Sequence, residues 1–498
     1  MTSEAPLTLA AAIDARWPAW TDRTAIESAD GRTASFGALR ADALALAGAL
    51  LDEGLKPGDR IAVVAPKSEG LLTLYVACLM SGLVYAPFNA EYTAAEFAYL
   101  LADVDPAAVV IAPALADRAA AVADKVRLID ADSGLAALIA RRSATQATRP
   151  APGDLAALLY TSGTTGKPKG AMLTHRNLAS NAATLVAHWG ITASDVLLHA
   201  LPIFHAHGLF VAANTSFLAG VRMVFLPRFE AADIVRRMAG ATVFMGVPTH
   251  YARLLAEPGL GAASASMRLF VSGSAPLPAD TWTAFERVTG HEILERYGMT
   301  ETVMMTSNPL AGARIAGSAG KPLPGIALRV AAPDGTLLPQ GETGIVEVSG
   351  PNVFAGYWRA ADKTAASFRP DGYFVTGDIG RFDEAGYLHL AGRASDLIIS
   401  GGFNVYPREV EDVLREIEGV ADCAVVGLPH ADWGEAVAAV VETAPGFALA
   451  EAAVIAHARA VLAPFKTPKR VLFQALPRNA MGKIEKSRLR TDLAGLFA

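Results

Sequence analysis

Short apolar runs closed off by turn residues recur along the first two thirds of the chain, with helical patterns between them. RIAVVAP (60–66), AAVVIAP (107–113), LAALLY (155–160), VRMVFLP (221–227) and RLFVSGS (268–274) have the length and composition of strands. The stretches 36–55 and 231–240 place apolar residues at helical spacing. Strands covered on both faces by the helices that join them form largely parallel sheets, so the expected fold class is α/β. The apolar stretch 70–88 (GLLTLYVACLMSGLVYAPF) approaches the length of a bilayer span, but Ser81-Gly82 interrupts it. It reads as a buried helix followed by a strand. The Ala-rich segments 114–123, 136–148 and 448–462 read as helices.

A chain of 498 residues is too long for one small core. After about Pro324 the texture changes to short strands with Gly and Asp turns (IALRVAAPDGTLL, GIVEVSG, GYLHLAG), which implies a β-rich subdomain. A second break falls near Gly392-Arg393. Beyond it come a strand (LIISG), a helix (PREVEDVLREI), two strands (CAVVGLP, VAAVVET), then a helix and tail. The expected organisation is a large N-terminal domain over 1–393, with parallel sheets and the β-rich part, and a small C-terminal α/β domain over 394–498.

The net charge of −6 and the lack of long basic runs argue against nucleic acid or an anionic membrane as the main partner. Cys78 and Cys423 stand too far apart in sequence to suggest a disulfide framework or a Cys-rich metal site. Residues 1–14 lack the basic region of a signal peptide, so the cytoplasm is the expected compartment. Nothing in the sequence fixes an oligomeric state.

The densest chemical signal is Thr161-Ser162-Gly163-Thr164-Thr165-Gly166-Lys167-Pro168-Lys169-Gly170, directly after a strand-like run. Glycines let several backbone N–H groups turn toward one anion, and the hydroxyls and lysines add donors and charge suited to a polyphosphate. It is not a Walker A loop. Only two residues separate Gly163 from Gly166, and Pro168 follows Lys167 where that motif needs Ser or Thr.

The run YTSGTTGKPKGAMLTHRN resembles the signature loop of the adenylate-forming enzymes, the family of acyl-CoA synthetases, firefly-type luciferases and peptide-synthetase adenylation domains. The resemblance continues in order along essentially the whole chain. It implies two steps: a carboxylate attacks the α-phosphorus of ATP to give an acyl-adenylate and pyrophosphate, and the thiol of coenzyme A then displaces AMP. In RYGMTE, Tyr297 is implied to lie against adenine, Thr300 to donate to the α-phosphate, and Glu301 to ligate Mg²⁺, with Thr165 as a further metal ligand. Ser274, Ala275 and Pro276 resemble the adenine-side loop, and Asp378 and Arg393 the ribose contacts. Lys483 matches the lysine that neutralises charge during adenylation, and Asp396 the hinge of a mobile small domain. Gly401 and Gly402 match the face turned to coenzyme A in the second step, and Arg176 could meet a coenzyme A phosphate. His205, in PIFHAHGLF, matches the aromatic gate of the acid pocket.

The acid pocket implied by this alignment carries unusual charge. Arg296 stands where fatty-acid ligases often have glycine, Arg253 follows in GVPTHYARLL, and His207 adds a second imidazole. An apolar acyl chain gains nothing from a buried guanidinium, and leaving one unpaired costs about 3–5 kcal/mol. A second carboxylate on the substrate would satisfy it bidentately. A salt bridge from Arg296 to Glu295 or Glu301 is the structural alternative. ERYGMTE, LPIFHAHGL and RLFVSGSAPL together resemble the malonyl-CoA synthetase branch, which implies malonate as the acid, with Ser272 and Met305 joining the pocket. A thioether at Met305 makes the pocket more apolar and favours a methyl-substituted malonate. The competing readings are a short-chain monocarboxylate ligase, an adenylation enzyme that loads a carrier protein, and a nucleotide-binding sensor without turnover. A sensor could dispense with Lys483 and Glu301, and both are present.

Overall fold

The computed structural model describes residues 8–119, 126–143, 147–148, 150–161, 168–430, 432–479 and 482–497. The chain divides into two compact units. One comprises Met1–Ala316, Gly320–Ala327 and Val348–Phe374; the other comprises Gly317–Ala319, Leu328–Glu347 and Val375–Ala498.

The first unit holds two sheets. A six-stranded sheet runs in the order Arg127–Asp130, Ala108–Ile111, Arg60–Val64, Val84–Pro87, Leu155–Thr161, Lys169–Thr174. It is parallel except for the last pair, an antiparallel hairpin. A nine-stranded sheet has a parallel centre of Leu294–Tyr297, Leu269–Ser272, Val243–Gly246, Val196–His199, Arg222–Phe225 and Thr24–Ser28, closed at both ends by short antiparallel strands. The apolar runs read as strands become strands because they are covered on both faces; Ala108–Ile111, Val243–Gly246 and Leu269–Ser272 are buried at every position. The 70–88 stretch forms the helix Glu69–Ser81, stopped by Gly82 in the left-handed conformation, and then the strand Val84–Pro87. Among the described residues no helix is long and apolar enough to cross a membrane.

The second unit carries a four-stranded sheet (Ala327–Ala331, Gly344–Ser349, Phe374–Phe382, Leu388–Arg393) and a five-stranded sheet with the helices Pro407–Arg415 and Glu451–Val461 packed against it. Two expectations need correcting: the run read as a helix over 136–148 is helical only to the end of Ser133–Ala140, with Arg142 just beyond at φ 51°, a left-handed conformation that no helix continues through. The Ala-rich run at 114–123 is not an α-helix over its described part but a 3-10 helix, Pro113–Ala119. Helix propensity yields here to tertiary contacts: Leu115 and Ala119 pack into the core, and Arg118 donates to the Ala90 and Tyr92 carbonyls.

Register is what positions the site. Gly246 pairs with Ser272, and Ser272 with Glu295, so three parallel strands end side by side. In open α/β sheets the carboxyl ends of such strands are where ligands bind. Below them lies an aromatic core in which Phe285 meets Phe270 at 4.9 Å and Tyr251 at 5.3 Å, both edge to face. Phe270→Ala is therefore expected to cost about 3–5 kcal/mol, read as a lower urea midpoint at unchanged slope.

Candidate active site

Thr161 and Lys169 pair across the hairpin, so the two ends of the Ser/Thr/Gly-rich segment meet. Ser162, Gly163, Thr164, Thr165, Gly166 and Lys167 lie outside the described residues. Thr161 is half-buried, and the Lys169 ammonium sits 5.8 Å from the Tyr357 ring centre.

Tyr297 ends its strand half-buried, and its carbonyl accepts the Met305 N–H at 2.9 Å. A tight turn follows. A Cβ on Gly298 would stand 1.8 Å from the Val303 carbonyl oxygen, so only glycine fits. Val303 is buried at φ 51°, an unfavourable conformation for a β-branched residue. Asn352 Nδ2 donates to the Thr302 carbonyl at 2.7 Å, and Asn181 Nδ2 to the Met304 carbonyl at 2.8 Å, clamping the strained segment. The product of this turn is a fixed carboxylate. Glu301 is 5% exposed, its carbonyl accepts the Phe354 N–H at 2.8 Å, and its Oε1 accepts the Tyr357 hydroxyl at 2.9 Å. Thr300 lies half-buried beside it. Among the described residues no three His, Cys, Asp or Glu side chains stand together as a metal cage. Mg²⁺ needs no such cage where phosphate oxygens complete its shell, and one positioned carboxylate fits that requirement.

Glu295 and Arg296 are adjacent on a strand and point to opposite faces. The Glu295 carboxylate accepts the Leu277 N–H at 3.0 Å, anchoring the loop that contains Ser274, Ala275 and Pro276. Arg296, 3% exposed, lays its guanidinium on Gly273: a Cβ there would be 2.3 Å from the Arg296 Cζ. Its Nε and Nη2 have no hydrogen-bond partner among the described residues. His207 Nε2, near the Arg296 charge, and the buried Ser272 Oγ are likewise without hydrogen-bond partners among the described residues. His207 Nδ1 lies 3.3 Å from the hydroxyl of Ser274, whose φ of 71° turns the loop toward it. Burial pushes the Arg296 guanidinium down to about 9, which still leaves it cationic at neutral pH. Burial, then the Arg296 charge, holds His207 well below the usual imidazole range, so it is neutral. The His207 N–H donates to His205 Nδ1 at 3.3 Å, and His205 is half-buried. Met305 is fully buried. Arg253 is exposed. Pro248 starts its helix, Pro248–Leu255, and the inward side chains are Tyr251 and Leu254. Its charge acts on His250, which stacks on Phe229 at 3.8 Å.

In the second unit, Asp378 and Arg393 are cross-strand partners joined at 3.1 Å. Gly482 turns at φ 72°, and Asn479 Oδ1 accepts the Lys483 N–H at 3.0 Å. The Lys483 ammonium is held below the ordinary lysine value, first by desolvation and next by Arg393, while Asp378 and Asp396 pull the other way. Asp396 ends a 3-10 helix, Ala394–Asp396, and accepts Arg490 at 2.8 Å. Gly401 and Gly402 form an exposed turn with positive φ. Arg176 is exposed in the first turn of the helix His175–His188, in the first unit.

The profile of the AMP-binding enzyme family matches residues 13–358, and that of the AMP-binding enzyme C-terminal domain matches 409–483. The chain belongs to the AMP-binding enzyme family. Among its relatives, a malonate–CoA ligase of Arabidopsis thaliana is 36% identical over 95% of this chain and 86% of its own length. A sulfoacetate–CoA ligase of Cupriavidus necator is 37% identical over 97% of both chains. ATP-bound MatB from Rhodopseudomonas palustris superposes with a TM-score of 0.96 at 47% identity, covering 99% of this chain and all of the other.

For this AMP-binding enzyme the structure adds residues that motif reading missed. Tyr357 reaches Glu301 across 56 positions of sequence, and Asn352 and Asn181 clamp the turn from two further segments. No local pattern announces such contacts. Gly273 was legible as a loop glycine but not as the seat of a guanidinium.

Histidines kept neutral by burial set the acid stability, His199 and His207 among them, and two more have folded values within reach of a titration. Burial lowers His175 to about 4 and His250 to about 3, Arg253 adding to the latter. The unfolded chain protonates both near 6.5 while the folded one does not, so the unfolded state binds more protons and stability falls as pH drops below 6.5. The urea midpoint should be flat above pH 7 and then fall, by about 1.4 kcal/mol per pH unit for each histidine down to its folded value. His175→Phe should shrink that slope.

Proposed function

We propose that the protein is an ATP-dependent acid–CoA ligase that makes malonyl-CoA from malonate, releasing AMP and pyrophosphate, and that methylmalonate is a second substrate. The observation that carries the choice of acid is the buried Arg296, whose Nε and Nη2 lack acceptors among the described residues, with the unpartnered Nε2 of His207 nearby. Burying a charge without a partner costs about 3–5 kcal/mol, and a distal carboxylate on the substrate removes that cost on binding. A planar guanidinium takes a carboxylate with two parallel hydrogen bonds. Two relatives are named for acids with a second anionic group, malonate and sulfoacetate.

The rest follows from charge. With the distal carboxylate held at Arg296, the proximal carboxylate becomes the nucleophile toward the α-phosphorus of ATP. The effective concentration gained by fixing it is a large part of the acceleration. Glu301 would hold Mg²⁺, which supplies charge neutralisation at the phosphates. Thr300 donates to the α-phosphate, Tyr297 packs on adenine, and the loop around Ser274, Ala275 and Pro276 borders the base. Asp378 accepts from the ribose hydroxyls, with Arg393 beside it. Lys483, whose depressed ammonium remains a donor, offsets the charge that develops as the adenylate forms. We place the small domain at 394–498, with Asp396 as its pivot and Gly401, Gly402 and Arg176 as contacts of coenzyme A in the second step. The cytoplasm suits a chain whose two cysteines are unpaired.

The test is kcat/KM for malonate, methylmalonate, sulfoacetate, acetate and butyrate with coenzyme A and Mg-ATP. Malonate or methylmalonate should win, with AMP and pyrophosphate as products, and ADP with phosphate would sink the adenylate mechanism. Arg296→Ala should erase the preference for dianionic acids by about 100-fold or more. If butyrate wins and Arg296→Ala changes little, the arginine is structural. Lys483→Ala should lower the rate of acid-dependent pyrophosphate exchange by about 100-fold or more while leaving the acid preference intact.

A further inference from the structure

Far from the phosphate loop in sequence, Lys67 is held in a small cage. Its Nζ donates to His199 Nδ1 at 2.9 Å and to the His199 carbonyl at 2.7 Å, and lies 4.1 Å from the centre of the Phe225 ring. Three donors thus meet two lone pairs and one π face. No carboxylate lies within ion-pair distance of Lys67 among the described residues. The lysine follows the Arg60–Val64 strand of one sheet, whereas His199 and Phe225 end parallel strands of the other.

The second nitrogen of His199 decides what the cage does. His199 is 1% exposed, and its Nε2 stands 2.8 Å from the Gly208 carbonyl oxygen. A carbonyl only accepts, so the ring proton is on Nε2, and Nδ1 is the bare acceptor to which the Lys67 ammonium donates. Gly208 lies in the first turn of a π-helix, His207–Ala213, a rare geometry often found at functional sites. That turn has no slack: a Cβ on Gly208 would fall 2.1 Å from the Pro202 carbonyl oxygen. The residue before Gly208 is His207, which faces Ser274 Oγ and Arg296 in the acid pocket.

We infer that Lys67 is a positioning residue for the acid pocket: by donating to Nδ1 it fixes the His199 tautomer whose Nε2–H ties down Gly208 and so aims His207 beside Arg296. This rests on the acid-pocket reading given above but not on which acid fills the pocket. Lys67 touches no substrate; it acts through His199. The neutral state of His199 agrees with the arrangement, since burial and the lysine charge hold it well below the usual imidazole range, while burial also lowers the Lys67 ammonium below the ordinary lysine value.

The experiment compares wild type, Lys67→Met, Lys67→Gln and His199→Phe in the full-length enzyme. The wild-type acid panel first selects the best acid, which tests the malonate reading by itself. With that acid, Lys67→Met should raise its KM about tenfold, the worth of one charge-assisted hydrogen bond, with the KM for Mg-ATP within about twofold of wild type. Lys67→Gln keeps a donor for Nδ1 and should recover most of the loss. His199→Phe keeps the ring and removes both nitrogens, and should match Lys67→Met, serving in its place if that variant does not fold. A simple brace between sheets would lower the melting temperature and leave the acid KM unmoved, or would raise both KM values together. Either result, or a Lys67→Gln enzyme as impaired as Lys67→Met, overturns the proposal.

Discussion

A guanidinium without a carboxylate of its own, buried at the ends of three strands in register, is what the first unit is arranged around. Arg296 needs a flat, side-chain-free seat, and Gly273 provides it. The neighbouring Glu295 would neutralise the arginine if it shared a face with it, but strand alternation sends that carboxylate to the backbone of Leu277 instead. The nearby imidazole of His207 stays neutral because the arginine and the burial both oppose its protonation. The result is a buried guanidinium with two donor nitrogens unpartnered among the described residues, the kind of group that an acceptor from outside would satisfy.

The second constraint is mechanical. The turn from Gly298 to Val303 is strained at both ends, by a backbone approach that admits only glycine and by a valine in the left-handed region. Strain of this kind persists only when neighbours over-determine it. Asn352, Asn181 and the Phe354 amide do so here, and Glu301 inherits their rigidity. Tyr357 then sets the orientation of the carboxylate itself. A metal ligand held this way keeps its place before any phosphate arrives.

Much of this was legible from spacing. The strands at 60–64, 108–111 and 269–272 announce themselves because burial on both faces leaves them uniformly apolar, and the end of the helix at Ser81 is marked by the glycine after it. Arg296 could be picked out because it precedes Tyr297 in a motif of fixed order. Arg253 carried the same charge and the same expectation; it is exposed on the helix Pro248–Leu255, with its charge felt by His250. What no local pattern contains is pairing across the fold. Lys67 and His199 are 132 residues apart, and neither residue stands in a recognisable motif with the other. The run at 114–123 misled for a different reason: its composition favours helix, and propensity is a weak guide where tertiary contacts set the backbone, as Leu115 and Ala119 packing into the core and Arg118 donating to the Ala90 and Tyr92 carbonyls do here.

Both thiols of the chain are buried, Cys78 in the helix Glu69–Ser81 and Cys423 under the helix Pro407–Arg415, and burial pushes each well above the usual thiol range. On the proposed chemistry this has a bearing on fidelity. An acyl-adenylate is a mixed anhydride that any accessible thiolate will attack, the enzyme's own included. A chain that keeps its sulfurs protonated and out of reach cannot acylate itself, so the thiol of the incoming coenzyme has no rival of its own kind within the protein.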